Sequence, residues 1–407
     1  MNEKRWNERL KQVMPWGSST CSKAPVYLPE EPEIIVRGDG CRIWDANGKE
    51  YIDYRNGLGP VSLGYRYPAV DEAIRAQLDR GIIFGHPSDL ECEVAEQLCD
   101  LIPCAEQTRF LKTGGEALAA CIRIARSYTE RDHIIQIGYN GWLNSLASGA
   151  NLLPAMKAEA APSGVPQDLS SLHHVCAWND TDGLEQLFAR FDGQIAAVLV
   201  AADYLNMDQG KTFYPALKKI CRKNNSLLIF DEVVTGFRLA VGGAQEYFGV
   251  VPDLAVFGKA MANGMPLAAY VGRRDIMESG QRGAIISSTF GGETLSLAAA
   301  KAVMGEYTNK DVIAHLWHQG EKLWSAVDML FQAEDLPLRI RGCAPCPIIV
   351  EQKPGSSALS DFVRKAYANG GSLYRVPYIT FSHTDEAVEE TLKRLEAACQ
   401  EVERTWS

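Results

Sequence analysis

Residues 226–264, SLLIFDEVVTGFRLAVGGAQEYFGVVPDLAVFGKAMANG, decide how the rest of the chain is read. Leu227-Leu228-Ile229-Phe230 is a short apolar run of the kind that forms a buried strand, and Asp231 stands where that strand would end. A second run, Leu254-Ala255-Val256-Phe257, leads into Gly258 and Lys259. In an open α/β sheet, ligands bind in the crevice beyond the carboxyl ends of the strands. The acid and the amine are therefore candidates for a single site.

That pairing suits pyridoxal 5'-phosphate, which needs an amine to hold it as a Schiff base and an anion beside its ring nitrogen. The anion keeps the nitrogen protonated and the ring a good electron sink. The wording Ile-Phe-Asp-Glu-Val-x-Thr-Gly-Phe-Arg at 229–238, Gly-Gly-Ala-Gln at 242–245, Pro-Asp-Leu at 252–254 and Gly-Lys at 258–259 resembles the class III pyridoxal-phosphate aminotransferases. Within that class the sequence is most similar to the glutamate-1-semialdehyde 2,1-aminomutase branch, from about Pro15 to the C-terminal helix. The resemblance implies a fold type I architecture: a large α/β domain with a mostly parallel seven-stranded sheet flanked by helices, and a smaller α+β C-terminal domain. The expected divisions are an N-terminal helix and hairpin segment (1–55) packing with the small domain, a large cofactor domain (56–300) and a small domain (301–407).

Composition agrees with a large enzyme body. The chain has 407 residues, 46% of them hydrophobic, which is enough for a substantial core. A formal charge of −10 argues against a nucleic-acid surface. No stretch approaches the ~20 apolar residues that span a bilayer, and the mixed-charge start is neither signal peptide nor anchor. Eleven scattered cysteines fit buried free thiols in a reducing, cytoplasmic setting. The lone Cys343-x-x-Cys346 would be half of a zinc site with no second half apparent.

In chain order, residues 1–14 place Trp6, Leu10 and Val13 on one helical face, expected to dock on a partner surface. In the loop 15–32, Lys23 aligns with the arginine that the aminomutases use for the substrate carboxylate; the alternative is an exposed loop lysine. Residues 33–54 read as a hairpin turning at Asp45-Ala46-Asn47-Gly48. Leu58 occupies a position that is usually tryptophan in the branch, which implies a differently shaped substrate pocket. Helices are expected over 68–80 and 89–101, joined by a loop in which His86 is either a substrate contact or a helix-entry residue.

A strand over 108–111 runs into Thr113-Gly114-Gly115-Glu116-Ala117 and an amphipathic helix. Glycines at a helix start expose N–H groups to an anion, and the resemblance assigns Thr113, Gly114 and Gly115 to the cofactor phosphate. It also implies that Tyr139 stacks on the pyridine ring, with Asn140 in place of a usual histidine, that Val233 contacts the cofactor, and that Asn206 lies near the ring hydroxyl. Residues 144–168 read as a long irregular segment that would gate the site. Ala201-Ala202 replaces a usual Glu-Pro. Thr289 aligns with a residue that donates to the phosphate in the other subunit, which implies a homodimer with shared sites, and Glu293 stands where asparagine is common. Further on, strands are expected at 348–350 and 373–376 and a last helix over 386–403. Arg375 aligns with a glutamate of the aminomutases: it would attract an anionic substrate group, or else lie on the surface.

The function expected from these residues is transfer of an amino group from an amino-acid donor to an aldehyde or ketone of a biosynthetic intermediate. Lys259 would hold the cofactor and then move protons, and Asp231 would hold the ring nitrogen protonated. An aminomutase is the second reading, a racemase or epimerase the third, and a catalytically silent relative the reading from outside enzymology.

Overall fold

A computed structural model describes residues 5–143, 164–279 and 283–403. Chain contacts divide it into two compact units, one of residues 68–313 and one formed by 1–67 together with 314–407. These divisions fall at 67/68 and 313/314, where the sequence had placed them at 55/56 and 300/301.

The N-terminal segment carries helix α1 (Trp6–Val13) and strands β1 (Ile35–Asp39), β2 (Arg42–Asp45) and β3 (Glu50–Asp53). β2 and β3 form the expected hairpin, and β1 adds to it antiparallel. None of the residues of α1 is buried, and Trp6 and Val13 are 41% and 82% exposed.

The central unit follows in order as α2 (Pro68–Leu78), α3 (Asp89–Leu101), β4 (Gln107–Leu111), α4 (Gly114–Thr129), β5 (His133–Ile137), α5 (Gln167–Ser170), β6 (His173–Cys176), α6 (Thr181–Arg190), β7 (Ile195–Ala201), α7 (Gly210–Lys223), β8 (Leu227–Asp231), α8 (Ala244–Phe248), β9 (Leu254–Phe257), β10 (Ala268–Gly272), α9 (Arg274–Met277) and α10 (Thr294–Asn309). Its sheet has seven strands in the order β4-β10-β9-β8-β7-β5-β6. β5 to β9 run parallel, and β10 lies antiparallel to both β4 and β9. Every residue of β7, β9 and β10 is buried, as a sheet covered on both faces requires.

The central helix α4 is held at its start by a reciprocal cap between Thr113 and Glu116, and it buries Ala117, Leu118, Cys121, Ile124 and Ala125. Helix α7 starts at Gly210, fed by a 3-10 turn at Met207–Gln209, and it carries Pro215 within its length.

The remainder supplies α11 (Val312–Ala333), β11 (Leu338–Arg341), β12 (Ile348–Glu351), α12 (Ala358–Ala368), β13 (Gly371–Ser372) and α13 (Asp385–Glu401). β11 and β12 form a two-stranded sheet, while β13 joins β1 to β3 by parallel pairing with β3. The strand expected over 373–376 is displaced to this two-residue pairing. β3 ends at Asp53 opposite Ser372, so no ladder remains for Leu373 to join, and Pro377 has no N–H to donate to one. Among the described residues no helix is long and apolar enough to cross a membrane, and no cluster of three or more metal-ligating side chains occurs.

Candidate active site

The carboxyl ends of β4, β5, β7, β8 and β9 all open on one edge of the seven-stranded sheet. A cavity of about 540 Å3 lies there, and its lining includes Thr113, Gly115, Tyr139, Asn140, Asp231 and Lys259. They arrive from four strand ends: Thr113 and Gly115 after β4, Tyr139 and Asn140 after β5, Asp231 at the end of β8 and Lys259 after β9. Parallel strands make this convergence automatic, because their C-terminal ends share an edge.

Asp231 is the last residue of β8 and remains half-buried. Its Oδ1 accepts the Val233 N–H at 3.1 Å, and its Oδ2 accepts the Asn140 side-chain amide at 3.5 Å. Loss of solvation outweighs these hydrogen bonds and the nearby Lys259 charge, so the carboxyl is pushed up to about 6. A buried carboxylate in this state gains from a cationic partner.

Lys259 follows β9 after Gly258 and sits with φ of +43°, a left-handed backbone that costs a lysine roughly 1–2 kcal/mol. Such strain is kept only where the surroundings enforce it, and it clusters at functional sites.

At the other side of the cavity, the Glu116 carboxylate accepts the N–H groups of Lys112 and Thr113, and Thr113 Oγ1 accepts the N–H of Glu116. The N–H groups of Gly114 and Gly115 are left over at the positive end of a 16-residue helix. Gly114 is also spatially required: a Cβ there would lie 2.7 Å from Val233 Cγ2. Asn140 is 1% exposed, and its Oδ1 has no hydrogen-bond partner among the described residues. Two donors for a phosphate, a buried acid for a ring nitrogen, an amine for a carbonyl carbon and the half-exposed ring of Tyr139 together match the groups of pyridoxal phosphate. The fit is good.

The sequence-derived cofactor residues Thr113, Gly114, Gly115, Tyr139, Asp231, Val233 and Lys259 therefore share one cavity. Asn206 does not line it. Its amide donates to Asp203 Oδ2 at 2.7 Å, at the start of the 3-10 turn. Thr289 is exposed and outside the lining. The structure adds Trp142, Leu143 and Tyr204 to the wall. Trp142 and Leu143 follow Tyr139, and Tyr204 lies in the turn after β7, where position relative to a strand end was the signal.

Of the four substrate candidates, Lys23 and Leu58 line a second cavity of about 340 Å3, within the unit of 1–67 and 314–407, together with Arg55, Tyr65, Asp53 and Tyr367. The Arg55 guanidinium donates to Glu31 Oε1 at 2.5 Å and to the Tyr367 hydroxyl at 3.1 Å, so its charge is already matched. Lys23 is exposed at this cavity. His86 and Arg375 are exposed and line neither cavity, and the Arg375 carbonyl accepts the Ile349 N–H. The gating segment expected over 144–168 lies for the most part outside the described residues.

An open α/β sheet with an acid and a lysine at neighbouring strand ends and a helix start between them defines a fold type I pyridoxal-phosphate enzyme. Sequence comparison gives the family: the aminotransferase class-III family matches over residues 27–398, and the chain belongs to it. The glutamate-1-semialdehyde 2,1-aminomutase of Acetivibrio thermocellus is 33% identical, with 95% of each chain covered. The enzyme of the same name from Aquifex aeolicus is 31% identical over 98% of this chain and 100% of its own. Among solved structures, the FumI protein of Sphingopyxis sp. MTA144 superposes with a TM-score of 0.88 at 25% identity, covering 97% of this chain and 94% of its own. An omega-transaminase from Sphaerobacter thermophilus gives 0.86 at 26% identity, covering 98% and 97%. Pyridoxal phosphate is the cofactor of this family and of this chain.

Proposed function

We propose that the chain is a pyridoxal-phosphate-dependent aminotransferase that moves an amino group from an amino-acid donor to the aldehyde or ketone of a biosynthetic intermediate. The observation that carries this reading is the joint placement of Asp231, Lys259 and the free Gly114 and Gly115 N–H groups around one cavity. When bound, the cofactor supplies an electron sink that stabilises negative charge on the substrate carbon.

The residues of the chain do the rest. Lys259 Nζ would hold the cofactor, and as a free amine it would serve as the general base that carries a proton from the substrate carbon. Asp231 keeps the ring nitrogen protonated, and Asn140 and the Val233 N–H hold that carboxylate in place. Gly114 and Gly115 receive the phosphate, with Thr113 beside them, and Tyr139 covers the ring. Thr289 completes the phosphate contacts in this reading by acting across a homodimer, whereas Asn206, held by Asp203 outside the cavity lining, would reach the cofactor only if that turn rearranged. Eleven free thiols fit a cytoplasmic location. Lys23 and Leu58, on one cavity wall, remain the substrate candidates with structural support, ahead of His86 and Arg375.

A second reading is favoured by a specific observation: the relatives at 31–33% identity are named glutamate-1-semialdehyde 2,1-aminomutases. Against it stand Lys23, Leu58 and Arg375, which differ from that branch at substrate positions. One experiment separates the two. The yellow holoenzyme is mixed with a panel of amino acids, glutamate among them, and the visible band is followed. Bleaching with release of a keto acid supports the aminotransferase. Turnover of glutamate-1-semialdehyde to 5-aminolevulinate at an enzymatic rate, without bleaching by any amino acid, moves the assignment to the aminomutase. A protein that stays colourless with added cofactor is the catalytically silent relative.

A further inference from the structure

The cofactor cradle is tied to the rest of the central unit by an ion pair that the proposed chemistry does not use. Lys112 is the residue between β4 and the Thr113 cap. Its ammonium donates to Glu293 Oε2 at 2.7 Å and to Ser296 Oγ at 3.3 Å, and the Lys112 and Glu293 side chains are only 16% and 14% exposed. The same Glu293 caps α10: its Oε1 accepts the Leu295 N–H at 2.6 Å, and its Oε2 accepts the Ser296 hydroxyl at 2.7 Å. Partial burial works against ionisation, but the hydrogen bonds from Lys112 and Ser296 prevail and hold the carboxyl below its usual range. One carboxylate thus grips both the start of α10 and the root of the Gly114–Gly115 turn.

The turn just before Glu293 is pressed onto the same place. A Cβ on Gly291 would lie 2.7 Å from the carbonyl oxygen of Phe110 in β4, and one on Gly292, at φ +80°, would lie 2.5 Å from the Glu91 carboxyl carbon. Glu91 in turn forms the capping box with Ser88 at the head of α3. The turn at 291–293 is therefore packed against Phe110 near the end of β4 and against Glu91 at the head of α3. Lys112 itself does not line the cofactor cavity, although Thr113 does. Glu293 holds the ammonium aside, so that backbone N–H groups face the cavity.

We propose that Glu293 and Lys112 act as a positioning pair for the cofactor phosphate, setting the register of the Gly114–Gly115 donors against the turn that carries Thr289. The inference rests on the reading that the phosphate sits at Gly114 and Gly115. Donors displaced from the anion weaken a charge-assisted hydrogen bond, and productive geometry must be held to within about 0.5 Å by the supporting residues. By analogy with the partners that orient metal ligands, such support is worth about tenfold in affinity.

The test uses the full-length protein, freed of cofactor, as wild type and as Glu293→Gln, Lys112→Met and the double variant. Each is titrated with pyridoxal phosphate and, separately, with pyridoxal, which can bond to Lys259 but has no phosphate; borohydride reduction counts the adduct. The expected result is about a tenfold rise in the dissociation constant for pyridoxal phosphate in each single variant, no further rise in the double variant, and pyridoxal capture within twofold of wild type. Equal weakening of both ligands would mean general distortion and overturn the proposal. So would unchanged pyridoxal phosphate binding, or tighter binding in Glu293→Gln, which would mean that a released Lys112 serves the phosphate directly. Wild-type protein that binds neither ligand would refute the functional reading instead.

Discussion

Asp231 and Lys259 are each expensive where they stand, one by lost solvation and one by a left-handed backbone. Each expense has a measurable consequence. Replacement of Lys259 by Ala should remove the visible absorbance of the holoenzyme and the borohydride-stable adduct; an adduct persisting on another lysine would show that the anchor was misassigned. For Asp231 the sign follows from its upward shift to about 6. The carboxylate that pairs with a protonated ring nitrogen is present above pH 6 and lost as the pH falls through it. Cofactor affinity should therefore weaken between pH 7.5 and 5. Asp231→Asn should bind more weakly throughout and lose the part of that pH dependence due to this group. The cofactor phosphate titrates identically in both proteins, so the difference between their profiles isolates Asp231.

At the scale of elements, the turn after β8 is organised by Glu232, the residue after Asp231. It is 1% exposed, and its carboxylate accepts the N–H groups of Ala244 at 2.7 Å and Gln245 at 2.9 Å and the Thr235 hydroxyl, which pins the start of α8 to the end of β8. Burial raises this carboxyl to about 7 despite those bonds. An acid whose folded value lies above its unfolded one contributes stability that is full below about pH 4.5 and lost as the pH rises through 7. The denaturation midpoint of wild type relative to Glu232→Gln should consequently be higher at pH 5 than at pH 8; a constant gap would mean an ordinary carboxyl. The start of α4 gives a second prediction. In Gly114→Ala the new methyl meets Val233 Cγ2 at 2.7 Å, so the turn must shift, and cofactor retention during gel filtration should fall while far-ultraviolet circular dichroism stays unchanged.

For the whole molecule, exposed apolar residues mark where another surface belongs. Ile82, Ile83 and Phe84 are 46%, 38% and 52% exposed, and Phe290, beside Thr289, is 57% exposed. The two segments are joined, since the Thr294 N–H and hydroxyl donate to the carbonyls of Ile82 and Gly81 at 3.0 and 2.9 Å. A homodimer that covers this face would bring Thr289 to the second cofactor. Phe84→Asp should then lower the sedimentation mass from two chains to one and release cofactor in the same step. A monomeric wild type that retains its cofactor would contradict the shared site.

The residues that touch one another along the chain, or that sit at a strand's end, could be read from the sequence alone. Short apolar runs located β4, β8 and β9. Because parallel strands end on a common edge, Asp231 and Lys259 were legible as one site from the sequence, and the resemblance to the class III aminotransferases added Tyr139 and the Gly114–Gly115 turn to it. Local chemistry determines such features: hydrophobic period, glycine at a helix start, an acid after a buried run. Tertiary structure alone decided what depends on partners distant in sequence. The antiparallel insertion of β10 between β4 and β9 is set by ladder pairing, and the shrinkage of the expected 373–376 strand to β13 by where β3 stops. The gathering of Lys23 and Leu58 on one wall, apart from exposed Arg375, is a matter of packing. The Lys112–Glu293 pair joins residues 181 positions apart, and neither charge carries any local sign of the other.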